Sequence, residues 1–136
     1  MKRLALVWGI ALAVAVGFFG GRLWAKEEGN GWVVWKKTEL YLHDRPYEAD
    51  SWEIQSSTTN LAECKKLAKG FARIAVEFAR EDEEDLTRKH PGKNPPPMVV
   101  EYREGSSLYS VSGDDGFAMT VSFDCYPAAT DPRPRR

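Results

Sequence analysis

Cys64 and Cys125 are the only two cysteines in this 136-residue chain, and each falls on the apolar side of a different periodic pattern. Leu61, Cys64, Leu67, Ala68, Phe71, Ile74, Ala75 and Phe78 recur at spacings of three and four, which predicts an amphipathic helix. Its opposite face carries Glu63, Lys65, Lys66, Lys69, Arg73 and Glu77. Phe117, Met119, Val121, Phe123 and Cys125 alternate with Ala118, Thr120, Ser122 and Asp124, the period of a half-buried strand. Both sulfurs therefore point into one interior. In an exported chain with two cysteines this pair reads as a disulfide. Its loop of about 60 residues is worth roughly 4 kcal/mol in chain-entropy arithmetic.

Export is written at the other end. Lys2 and Arg3 precede Leu4 to Gly21, a run of 18 residues without a charge. Such a run is an export signal or a membrane anchor rather than part of a soluble core. As a cleaved signal it lacks a small-x-small site: a cut after Ala25 leaves Leu23 at position −3. As an anchor it spans roughly 27 Å, and Arg22, Leu23 and Trp24 extend it to the thickness of a hydrocarbon core. Either way residues 1–25 stand outside the domain, and the body is exported. The expected location is extracytoplasmic, at the periplasm or cell surface, with the membrane held through residues 4–24 if that segment is kept.

The exported body begins at Lys26. Without Lys2, Arg3 and Arg22 it keeps 16 basic against 20 acidic residues, a net charge of −4. A mildly acidic, intermixed surface argues against a nucleic-acid partner. The body is long enough for one domain and too short for two. Trp32, Trp35 and Trp52 lie in its first quarter and bring large areas for burial, so no metal or cofactor is needed to build a core.

The remaining elements read as strands. Gly31 to Leu42 predicts a long first strand and Trp52-Glu53-Ile54 a short second one. Asn60 is a good N-cap for the helix, with Glu63 placed to complete a capping box. Gly70 weakens the helix and predicts a close approach to the sheet. After Phe78 the apolar stripe ends, and residues 81–97 are expected as an acidic, proline-rich loop; if the helix continues instead, Glu84 pairs with Arg88 and Asp85 with Lys89 before Pro91-Gly92 stops it. Met98 to Arg103, Leu108 to Ser112 and Phe117 to Cys125 predict a meander joined by turns at 104–107 and 112–116. The expected fold is α+β: an antiparallel sheet of about five strands, one long helix on one face, the other face largely wet. Residues 26–127 form the domain and residues 128–136 a flexible basic tail.

The ending Cys125-Tyr126-Pro127-Ala128-Ala129-Thr130-Asp131-Pro132-Arg133 resembles the C-P-x-T-D-P-R tail of small exported bacterial proteins of uncharacterised function. The tryptophan-bearing first strand Gly31-Trp32-Val33-Val34-Trp35, the strand Trp52-Glu53-Ile54 and the helix opening Thr59-Asn60-Leu61-Ala62-Glu63-Cys64 are similar to theirs as well. The resemblance covers most of the exported part. It implies the same disulfide and the same compact fold, and it brings no activity with it.

Catalytic chemistry is sparse. His43 stands beside Asp44, with Asp50 seven residues on, and these three are the weak candidates for a polar site. As a surface histidine in a polar loop, His43 needs no function at all. His90 precedes Pro91 in a solvated linker. No nucleophile motif, phosphate loop or EF-hand loop is present, and the run Glu81 to Asp85 reads as a solvated face. The expectation is a non-enzymatic binding or structural module of the cell envelope, without catalytic residues, metal or cofactor, acting on an envelope protein partner. A small secreted hydrolase inhibitor, using His43 to Asp50 and residues 81–97 as loops, is the alternative.

Overall fold

The computed structural model describes residues 31–135. The signal or anchor segment expected at residues 1–25 lies outside the described residues. Among those described, no helix is long and apolar enough to cross a membrane. The element order is β1 (Trp32–Leu42), β2 (Arg45–Pro46), β3 (Ser51–Thr58), α1 (Leu61–Lys89), β4 (Met98–Tyr102), β5 (Leu108–Gly113) and β6 (Phe117–Pro127). The fold is α+β, with one helix on an antiparallel sheet of six strands. The sixth strand, beyond the expected five, is β2, only two residues long.

The sheet is built around β1. All eleven of its residues pair with β6, from Trp32 opposite Pro127 to Leu42 opposite Phe117. The meander β4-β5-β6 continues on that side, and β3 and β2 share the other edge of β1. The turns fall where Gly105 and Gly116 adopt left-handed backbone at φ +77° and +85°. Asp115 Oδ1 closes the second turn by accepting from Phe117 N–H at 3.0 Å.

α1 starts where its cap predicts: Asn60 Oδ1 accepts from Glu63 N–H at 2.8 Å. The disulfide Cys64–Cys125 ties this end of the helix to β6, with Cα atoms 6.0 Å apart. The core around it comprises Val34, Ala68, Ala72, Val76, Tyr109, Val111, Val121 and Phe123, and Phe71 stacks on Phe123 at 6.0 Å.

Three expectations about the helix are corrected. The buried line is Cys64, Ala68, Ala72 and Val76, spaced by four, because alanines let the helix lie close to the sheet. The larger Leu67, Ile74 and Phe78 sit beside that line and are exposed. Gly70 makes no close approach: a Cβ there would meet nothing within 4 Å. The acidic run is not a loop, since α1 continues to Lys89 and only residues 90–97 connect it to β4. Asp85 pairs with Lys89 at 2.6 Å one turn on, which answers the dipole cost of late acidic residues. Glu83 does more than face solvent. Its Oε2 accepts from Val100 N–H at 2.7 Å, satisfying a donor on the open edge of β4.

The second sheet face is also drier than expected. Val33 and Trp35, which alternate with Val34, are 4 % and 7 % exposed although no helix covers them.

Replacing both Cys64 and Cys125 by Ala is expected to lower unfolding stability by about 4 kcal/mol or somewhat less. Urea denaturation of the oxidised parent and the double variant measures it, and equal midpoints would contradict the staple's role.

Candidate functional site

The covered part of the outer face is an aromatic cluster. Trp35 comes from β1, Trp52 from β3 and Tyr126 from β6, on neighbouring strands. The rings of Trp35 and Trp52 meet edge to face with centroids 6.4 Å apart, and so do those of Trp52 and Tyr126.

Trp52 reaches this face because of a β-bulge. Ser56 opposes Val34 while Ile54 opposes Trp35, so Gln55 is an extra residue on β3. A sheet alternates sides residue by residue, and a one-residue slip inverts everything beyond it. Were Gln55 paired with Trp35 in unbroken register, Trp52 would fall opposite Thr38 and face the helix. The bulge therefore assembles the cluster. No pattern in Trp52-Glu53-Ile54 announces it, because the irregularity exists only relative to β1.

Charged groups ring the indoles. Lys37 Nζ lies 5.5 Å from the Trp52 centroid and is held by Glu39 Oε1 at 2.8 Å and Asp50 Oδ2 at 3.2 Å. The hydrogen bond to Glu39, supported by Asp50, raises the Lys37 pKa above its ordinary value. The basic tail crosses the same face. Ala128 N–H donates to Gly31 O at 2.8 Å, and Thr130 N–H to Pro127 O at 2.8 Å. Arg133 then lies over Trp35, its guanidinium carbon 5.6 Å from the ring centroid. Asp131 grips that guanidinium with both oxygens, accepting from Nε at 2.9 and 3.1 Å and from Nη2 at 2.6 Å. The hydrogen bonds from Arg133 hold the Asp131 carboxyl at a pKa of about 2.

Between the tail and β3 opens a cleft of about 970 Å³, lined by Asp50, Trp52, Thr130, Asp131, Arg133 and Arg135 with Ala49, Ala129 and Pro134. Its walls carry two carboxylates and two guanidinium groups around an indole. The Nε1–H groups of Trp35 and Trp52 are buried, and neither meets an acceptor among the described residues. Buried indole donors ordinarily find a partner, so two together mark this cluster out from the rest of the core.

Of the polar candidates, Asp50 belongs to this cleft. His43 and Asp44 are the central residues of the β1–β2 turn, both with left-handed backbone at φ 50° and 63°. That is the geometry of a two-residue type I′ hairpin turn. His43 N–H donates to Gly116 O at 2.8 Å, and its ring lies where a side chain on Gly116 would collide with it. Leu42, beside the turn, is about 16 Å along β1 from Lys37, the partner of Asp50. The structure thus places His43 and Asp44 at a hairpin tip and Asp50 in the cleft. His90 ends α1, its N–H donating to Leu86 O. Among the described residues, no group of three or more His, Cys, Asp or Glu side chains is set to hold a metal ion. The cluster and the tail contact were missed in the sequence; the only available signal was the density of tryptophan.

The chain matches no family model, no curated protein and no solved structure.

Two outcomes follow from this geometry. Deleting Gln55 is expected to remove the bulge and keep Trp52 opposite Lys37, on the Trp35 side, with Cys64–Cys125 formed; a retained tryptophan near-ultraviolet circular dichroism with an intact disulfide mass is the predicted reading. Loss of that signal would show that Gln55 is not the extra residue in the register. Secondly, Asp131 has a folded-state pKa depressed from the ordinary value near 3.8 to about 2. Its contribution to tail docking is full above pH 4 and lost as pH falls through about 2. Because the pair is exposed, salt weakens it too. Tryptophan emission is expected to shift over that window, and a transition centred near pH 4 or above would contradict the assignment.

Proposed function

We propose that the chain is a non-catalytic binding module of the cell envelope, and that the outer-face cleft is where it binds. The observation that carries this reading is the pair of buried indole donors, without acceptors among the described residues, in the cluster whose Trp52 lines an open cleft. The rest of the core is apolar or internally paired, and an unpaired buried donor is costly unless a partner completes it. Convergent polar groups around an aromatic surface are the ordinary make-up of a recognition site.

The envelope location rests on two supports. The disulfide suggests an oxidising environment, the kind found outside the cytoplasm. The uncharged run Leu4 to Gly21 after Lys2 and Arg3 supports export, with the body held at the membrane through residues 4–24 or released by cleavage. The similarity to small exported bacterial proteins agrees with both. The partner is an envelope protein, and the mildly acidic surface disfavours nucleic acid.

Affinity capture with the full chain from its solubilised native envelope tests the reading. A partner retained by the parent and lost with Trp52→Ala is expected. Identical captures by the two, with both disulfides formed, would remove the cleft as the binding surface.

A further inference from the structure

We infer that the outer aromatic cluster is a receptor for an arginine-bearing, proline-flanked peptide segment of the partner protein, and that the chain's own Arg133 fills it in the unbound state. This deepens the cleft-binding reading and rests on it.

The cluster presents its rings to cations twice over. Lys37 occupies the face of Trp52 at 5.5 Å, and Arg133 occupies Trp35 at 5.6 Å. Lys37 is built into β1 and cannot leave. Arg133 is on the tail, and the tail is held lightly. Ala128 N–H to Gly31 O is a hydrogen bond to the body, and Thr130 N–H reaches back to Pro127 O. Beyond Thr130 the hydrogen bonds among the described residues are the tail's own: Arg133 N–H donates to Asp131 Oδ1 at 3.0 Å, and the guanidinium donates to the same carboxylate. The last segment is therefore kept in place by the guanidinium on Trp35 and by contact along the cleft.

Such an arrangement is an intramolecular ligand. Pro132 and Pro134 flank Arg133 and fix their own φ angles, and Asp131 Oδ1 closes a turn onto Arg133 N–H, so little ordering is needed when the segment docks. A guanidinium suits an indole face better than an ammonium does, being planar and more weakly hydrated. The docked tail still leaves the indole donors of Trp35 and Trp52 without acceptors among the described residues. A competing segment that adds a backbone carbonyl or carboxylate there gains a hydrogen bond that the tail does not make. The tail's advantage is its tether, which raises its effective concentration at the site.

The test removes the tether. The probe is a synthetic peptide of the chain's own residues 129–135, titrated to about 10 mM, the scale on which a tethered segment competes. It is added to the otherwise full chain ending at Thr130, to the full-length Arg133→Ala variant and to the intact chain, with tryptophan emission as the readout. Saturable binding to the first two, at least about tenfold weaker binding to the intact chain, and none for a peptide with both arginines replaced by alanine are expected. Trp35→Ala in the shortened chain is expected to abolish binding. Absence of saturable binding to both tail variants, each with its disulfide verified by mass, would overturn the inference, as would equal binding of the arginine-free peptide. If the peptide fails while capture still depends on Trp52, arginine recognition falls and the cleft reading stands.

Discussion

The eleven-residue pairing of β1 with β6 is the constraint on which everything else rests. It fixes two opposite surfaces at once. Val34 and Cys125 are paired on one side and reach the helix; Val33 and Tyr126, one step along, are paired on the other. The disulfide then clamps α1 to the first side, and the same register delivers the aromatic residues of the second. A slip of one residue would exchange the two faces, burying Trp35 under the helix and exposing Val34. The staple opposes that slip, because Cys125 reaches Cys64 only in this register.

The two faces are built on different chemistry. The helix side is close-packed and apolar, with alanines at the contact and Phe71 on Phe123 at the centre. The outer side is a small cluster of amphipathic rings, with cations over them and carboxylates behind the cations. The first arrangement resists change, since cores lose stability with small alterations in volume. The second is polar, partly open and closed by a chain terminus, which is how a surface made for exchange of partners is built. The edges are guarded separately: Glu83 meets the backbone of β4, and the bulge at Gln55 twists β3 at the other margin.

Much of the architecture was legible in the residues, and particular ones show why. Cys64 and Cys125 declared themselves because periods of 3.6 and 2 place side chains without reference to any other element. Asn60 and the glycines of the meander turns likewise act locally. What was not legible depended on a second element. The burial of Ala68, Ala72 and Val76 in preference to Leu67, Ile74 and Phe78 follows from how the helix crosses the sheet. The continuation of α1 through Glu81 to Lys89 had one local signal, the Asp85–Lys89 spacing, and the other contact, Glu83 with Val100, depends on β4. The outer site was hidden for the same reason: Gln55 is a bulge only against β1, and Arg133 has a role only once Trp35 lies beneath it. Of the polar candidates, Asp50 lies in the cleft, while His43 and Asp44 are explained by the backbone that a tight hairpin needs.

The central claim is that the tail is seated on the outer aromatic cluster, and nuclear magnetic resonance of the full chain tests it most directly. The side-chain protons of Arg133 are predicted to be shifted upfield by the Trp35 ring current, with the indole protons of Trp35 and Trp52 slow to exchange and lacking the downfield shift of a hydrogen-bonded donor. Arg133 protons at the positions of an unstructured peptide, together with rapidly exchanging indole protons, would contradict it.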